Sequence, residues 1–149
     1  MILPLTLAHR AAWLRLRQAL WPDEDAAAHL AEITQFCAAP QRFGQFGFFS
    51  AQGDLLGFIE LSLRVDYVNG ASTSPVAFLE GIYVQPAARR RGIARSLMQA
   101  AEAWARATGC TELASDADLQ NSASHAMHEA LGFQETERVV FFCKQLDSA

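Results

Sequence analysis

The nine residues Val76–Val84 are apolar but for one carboxylate, Glu80, and they run into Gln85-Pro86 and then into Arg89, Arg90, Arg91 and Gly92. This order commits the chain to a strand, a Pro-marked turn and a helix. Ile93, Leu97, Ala100, Ala101 and Trp104 recur at three- and four-residue steps, giving a helix over residues 92–108 with one buried stripe, and Gly109 stops it. The first N–H groups of such a helix have no internal partner, and the helix dipole places partial positive charge there. Residues 89–94 therefore read as a seat for a phosphate-like anion, with glycine allowing close approach to the backbone. Taken alone, three arginines fit a solvated turn as well.

Alternation in the strand places Phe78, Glu80, Ile82 and Val84 on one side and Leu79, Gly81 and Tyr83 on the other. An unpaired buried carboxylate costs on the order of several kcal/mol, so Glu80 requires a partner. Two are open: an arginine in a structural salt bridge, or a substrate ammonium whose proton it also accepts. Downstream, a short strand over residues 111–116 sets Glu112, Ala114 and Asp116 on one side. Asp116 falls at its C-terminal end, where open α/β sheets place ligand sites; capping a loop is its other use.

The remaining segments cover this unit. Thr6 is placed to N-cap a helix to Leu20 that buries Trp13, Leu16 and Leu20, and residues 25–39 form a second helix with Leu30, Ile33 and Cys37 inward. Between them stands Trp21-Pro22-Asp23-Glu24-Asp25. An indole beside three acids suits a wall for an aminated sugar, and equally a buried Trp next to helix-terminal acids. Strands over 43–50 and 55–65 are joined through Gln52-Gly53-Asp54; in the second, Ile59, Leu61 and Leu63 alternate with Glu60, Ser62 and Arg64, whose face reads as wet. Residues 66–75 form a polar loop too long for a tight turn. A last helix starts at Asn121 or Ser122, with Ala123, Met127 and Ala130 on one face, and ends at Gly132-Phe133; residues 139–143 read as a final strand.

At 149 residues, 51% hydrophobic, the chain suits one compact domain over 1–149. No apolar run approaches the roughly 18 residues of a membrane span, and no signal-type leader opens the sequence, which reads as soluble and cytoplasmic. A formal charge of −4 argues against nucleic acid and favours a cationic small substrate. Three cysteines, Cys37, Cys110 and Cys143, without a C-x-x-C pair read as buried thiols rather than a disulfide framework. His125 and His128 share a helix face, but with no third ligand patterned nearby no metal is expected.

Arg89-x-x-Gly92-x-Ala94 after a strand ending in Val84 resembles the acetyl-coenzyme A motif of the GNAT superfamily of N-acetyltransferases, and Asn121-x-x-Ser124-x-x-x-His128-x-x-x-Gly132-Phe133 has the spacing of its second cofactor segment. Within the superfamily, Trp21-Pro22, Thr73-Ser74-Pro75, Leu79-Glu80-Gly81, Ala114-Ser115-Asp116 and Gly132-Phe133-x-Glu135-x-Glu137-Arg138 are similar to the aminoglycoside 6'-N-acetyltransferases. The resemblance implies an α/β (α+β) fold of GNAT type: a mixed twisted sheet of six or seven strands, splayed at the middle and flanked by about four helices. It implies acetyl-coenzyme A as co-substrate, its pyrophosphate on the amides of Arg89, Arg90, Arg91, Gly92, Ile93 and Ala94, its pantetheine arm beside Ile82, Tyr83 and Val84, and Asn121 on the arm's other side.

The same resemblance implies an aminoglycoside bound by Trp21, Tyr67, Glu80, Asp116 and Glu137, with Glu80 and Asp116 taking the amine proton. His128 stands where the superfamily usually has a tyrosine that protonates the leaving thiolate, so either the imidazole substitutes or the thiolate leaves unaided. A polyamine, arylamine or protein N-terminus as acceptor, and a non-catalytic acyl-coenzyme A module, stay open. Related enzymes are often homodimers, some with C-terminal strands exchanged, and the apolar run 139–142 suits such pairing; a buried interior strand would look the same.

Overall fold

The computed structural model describes residues 1–147. Five strands, Ile2–Pro4 (β1), Phe43–Phe49 (β2), Leu55–Arg64 (β3), Val76–Val84 (β4) and Leu113–Ala114 (β5), form one sheet in the order β1-β2-β3-β4-β5. The first four are antiparallel neighbours, and β5 joins β4 in parallel. Four α-helices accompany them: Arg10–Leu20 (α1), Ala26–Ala38 (α2), Ile93–Ala107 (α3) and Ser122–Ala130 (α4). Two compact units result, Met1–Asp116 with the whole sheet and α1 to α3, and a second from Ala117 onward with α4.

Local chemistry sets the helix boundaries. Thr6 closes a capping box with His9 over a single 3-10 turn that leads into α1, and the Asp25 carboxylate accepts the Ala28 amide at 2.8 Å to start α2. α1 buries Trp13 and Leu16 as its spacing predicts, and also Arg17, fully. The inward face of α2 is His29, Ile33 and Phe36, one step round from the expected Leu30, Ile33 and Cys37; Leu30 is exposed. A polar residue leads that face, which an apolar count skips. In α4 Ser124, His125, Met127 and His128 are half-buried, while Ala123 and Ala130 are exposed and none is fully buried.

The two sheet faces have different covers. A Cβ on Gly44 of β2 would strike the Trp104 ring of α3, and one on Gly57 of β3 would lie 3.4 Å from Ile93 Cγ2, so α3 lies on that face with its N-terminus against the end of β4. On the opposite face Phe58 meets Trp21, Glu60 meets Trp13 and Arg17, and Phe43 meets Phe36, so α1 and α2 lie there.

The face of β3 that reads as wet is dry: Glu60 is 1% and Ser62 4% exposed, because α1 and α2 cover it, and only Arg64 reaches water. Five strands pair among the described residues instead of six or seven. β5 is two residues rather than six, and 139–143 make no strand pairing; Val139, Val140, Phe141 and Phe142 are between 46% and 92% exposed. A strand exists by pairing with an edge, and this segment pairs with none among the described residues.

Candidate active site

The central strand is irregular where it matters. Gly81 pairs with Glu60 and Leu79 with Leu61, so Glu80 is an extra residue in β4, a β-bulge. The expected alternation fails at that point: Glu80 and Gly81 both turn toward the α1 and α2 face, where Glu80 reaches Ser62 and Gly81 meets Trp21. Ile82 and Val84 go to the other face. β5 leaves β4 just before the bulge, pairing only with Ala77 and Phe78. From Leu79 to Val84 one edge of β4 therefore has no strand partner among the described residues, which is the splay expected from the family resemblance.

On the bulge side opens a cleft of about 450 Å³ lined by Leu20, Trp21, Pro22, Asp23, Glu24, Glu32, Phe36, Glu60 and Glu80. Five of these are acids. Glu80 Oε1 accepts from Ser62 Oγ at 2.5 Å and from Arg64 Nη2 at 2.8 Å, and its side chain is 28% exposed. The arginine partner open at the sequence level is thus present, and Arg64 is in turn pinned with its guanidinium carbon 3.5 Å from the Phe78 ring centroid. Both bonds fall on one oxygen, leaving Oε2 for a ligand.

Behind the cleft lies a buried network that sequence reading missed. Arg17 Nη1 donates to both oxygens of Glu60, at 2.5 and 2.6 Å, and Trp13 Nε1 adds a bond of 2.7 Å to Oε2. Arg17 Nη2 pairs with Glu32, and Arg17 Nε donates to His29 Nδ1 at 3.1 Å. One guanidinium thus serves two carboxylates. Burial pushes the Glu60 carboxyl up to about 7, against the pull of Arg17 and Trp13, and Glu32 is raised by burial and by its neighbour Glu24. The available signal was positional: Arg17 is four residues from both Trp13 and Trp21, on the stripe that α1 buries.

The candidate cofactor seat lies where β4 turns into α3. Gly92 has φ 78°, a left-handed conformation that favours glycine, and a Cβ there would meet nothing within 4 Å, so the approach to α3 is open. Ser96 N bonds back to Gly92 O, leaving the amides before it without an intrahelical acceptor. Arg90 and Arg91 are exposed, whereas the Ile93 side chain is core and offers only its amide. Arg89 folds back, with Nε on Val84 O at 2.9 Å and its guanidinium carbon 5.5 Å from the Tyr83 ring centroid, so it braces the turn. An open left-handed glycine, free amides and two exposed guanidinium groups fit a diphosphate.

The other candidates are placed as follows. Tyr67 is 80% exposed on the 66–75 loop, whose far end is tied to Glu112 through Ser72 and Thr73, and Asp116 is exposed just past β5; neither lines the cleft. In the second unit Asn121 caps α4, its Oδ1 accepting Ser124 N at 3.1 Å, which leaves its amide nitrogen outside the cap. His128 Nδ1 lies 2.7 Å from Ser124 O, with its ring edge-on to Phe133 at 5.1 Å. Glu137 is exposed. The cleft therefore unites Trp21 with Glu80 and adds Asp23, Glu24, Glu32 and Glu60. Of the thiols Cys110 is buried, Cys37 half-buried and Cys143 exposed, so the reading of three buried thiols holds for Cys110 alone. Among the described residues no three His, Cys, Asp or Glu gather as a metal site.

Comparison with known proteins places this geometry in a class. Residues 10–133 match the family described as Acetyltransferase (GNAT) family, and the chain belongs to it: it is a GNAT acetyltransferase. Its relatives are narrower still. The chain is 52% identical over 145 residues to an aminoglycoside N(6')-acetyltransferase type 1 of Acinetobacter genomosp. 13, covering 97% of this chain and 98% of that protein. Among solved structures it is similar to the aminoglycoside antibiotic 6'-N-acetyltransferase AAC(6')-IG from Acinetobacter haemolyticus, at 49% identity, TM-score 0.93 and 99% of both chains. It is also similar to AAC(6')-Iy in complex with the bisubstrate analog CoA-S-monomethyl-acetylneamine, at 42% identity, TM-score 0.92 and 98% of both chains.

Proposed function

We propose that this chain is an aminoglycoside 6'-N-acetyltransferase, moving acetyl from acetyl-coenzyme A to a primary amine of the antibiotic by direct attack. The observation that carries the reading is the acid-lined cleft, with Trp21 in its wall and Glu80 on the bulge where β4 loses its partner. The name and near-complete coverage of the relatives support it. The co-substrate supplies the acetyl thioester when bound. The amides of residues 89–94 with the Arg90 and Arg91 side chains would hold its diphosphate, and the open edge from Leu79 to Val84 would offer main-chain hydrogen bonds to its arm, one N–H there serving to polarise the thioester carbonyl.

The chain's own residues prepare the amine. Holding an amine of pKa about 10.4 neutral at pH 7 requires roughly 5 kcal/mol, at about 1.4 per unit, and sugar amines require less. Glu80 binds the ammonium through Oε2 and passes its proton outward, with Asp116 as the second acceptor in the proposal, Tyr67 and Glu137 as further aminoglycoside ligands, Asn121 on the cofactor arm and His128 as proton donor to the leaving thiolate. We place the protein in the cytoplasm as one domain over 1–149. We read it as a homodimer in which a second copy covers the exposed apolar run 139–142, which a mass from light scattering tests.

The test is thiol release from acetyl-coenzyme A with kanamycin or tobramycin set against spermidine and peptides. The aminoglycosides are expected to react far faster. Glu80→Gln is expected to lower kcat/KM by about 100-fold, the general-base range. Equal rates across the panel, or wild-type kinetics in Glu80→Gln, would remove the reading.

A further inference from the structure

We propose that His29 and Arg17 are positioning residues for the acceptor: behind the cleft wall they fix the Trp21 indole and so set affinity for the cationic sugar. The inference rests on the acceptor reading above, and it concerns two residues with no contact to any reacting atom.

Trp21 follows the last residue of α1 and is held through its backbone amide and carbonyl and through its ring. Its amide donates to Arg17 O at 2.8 Å. Its carbonyl lies 3.2 Å from His29 Nε2. Its ring lies under the Arg17 guanidinium carbon at 4.8 Å, stacks on the His29 ring at 6.4 Å and 24°, and meets Phe58 edge-on at 6.3 Å. Both His29 and Arg17 are wholly buried.

Hydrogen-bond polarity fixes how the pair works. Arg17 Nε can only donate, so His29 Nδ1 must accept, which places the imidazole proton on Nε2 and points it at Trp21 O. Glu24 Oε2, 3.5 Å from Nδ1, competes for that nitrogen only if it is protonated. The same guanidinium that sets the tautomer holds Glu60 and Glu32. Removing the His29 contacts therefore loosens the aromatic wall while leaving the acids on Arg17, and that separates a positioning role from a general structural one.

The experiment uses the full chain labelled with ¹⁵N at tryptophan, which has three indoles, Trp13, Trp21 and Trp104. Trp21→Phe assigns the Trp21 indole signal. His29→Phe is expected to move that signal and leave Trp104 in place, and to raise KM for tobramycin about tenfold, the order of one buried hydrogen bond, with kcat within about twofold and KM for acetyl-coenzyme A unchanged. His29→Gln, which keeps an acceptor and a donor in similar positions, is expected to restore both readouts. If His29→Phe does not fold, His29→Asn serves, since it keeps an acceptor for Arg17 and loses the reach to Trp21 O, with the same shift and the same rise in KM expected. A folded His29→Phe or His29→Asn variant with a wild-type Trp21 signal, or one in which both KM values or kcat alone change, overturns the proposal. Should the wild type release no thiol with tobramycin, the acceptor reading falls by itself, and the Trp21 signal still decides whether His29 holds the ring.

Discussion

Gly81 shows how one missing side chain shapes the site. A Cβ built there would lie 2.6 Å from Trp21 Cζ2 and closer still to Cη2, so the indole lies directly on the bulge next to Glu80. Any larger residue has to push the ring toward the cleft, because His29 and Phe58 hold it from other sides. Gly81→Ala is expected to raise KM for an aminoglycoside by about tenfold, a displaced aromatic contact being worth on the order of 1 kcal/mol, with KM for acetyl-coenzyme A unchanged. Steady-state kinetics with each substrate varied in turn check this, and equal KM values for wild type and variant would mean that the indole does not touch the acceptor.

At the scale of elements, the turn from β4 into α3, the proposed co-substrate seat, holds two left-handed residues, Arg90 at φ 65° and Gly92 at φ 78°. Gly92→Val finds space for its side chain but costs about 1–2 kcal/mol in backbone energy at φ 78° and places a branched group where a phosphate would lie. The expected outcome is a higher KM for acetyl-coenzyme A with the acceptor KM unchanged; a variant with normal cofactor kinetics would count against the seat. This element was legible because its signal is local: an apolar run, Pro86, three arginines, glycine and a helical stripe are contiguous in sequence. So was the Thr6 cap, on the turn that leads into α1. The bulge was not, since strict alternation assumes a regular strand and an extra residue shows only against the partner's register. Nor were Glu60, Arg17 and His29, because polar residues on three separate elements read as solvent-facing until tertiary packing brings them together. The run 139–143 misled in the opposite sense: apolar composition suits a strand but does not state whose sheet it joins.

For the whole molecule, the buried acids predict an unusual dependence of stability on pH. Burial raises Glu60 from 4.5 in the free side chain to about 7 in the folded chain, so between these values the folded state keeps a proton that the unfolded state has released. Stability from this group is therefore complete below about pH 4.5 and is lost as pH rises through about 7, up to about 3 kcal/mol at about 1.4 per unit. Glu32, also raised, acts in the same direction. Glu112 and Glu135 are lowered by hydrogen bonds, from Thr73 and from Arg138, so their contribution is lost as pH falls below the ordinary carboxylate range, outside that window. The expected result is a Tm that falls from pH 5 to pH 8 in calorimetry at fixed salt. Glu60→Gln should be less stable at pH 5, since it withdraws an acceptor from a buried guanidinium, yet its Tm should fall less steeply across the window than that of the wild type. A wild-type Tm that rises over this range, or a variant that keeps the full slope, would place the titrating proton elsewhere than on the carboxylate that Arg17 and Trp13 share.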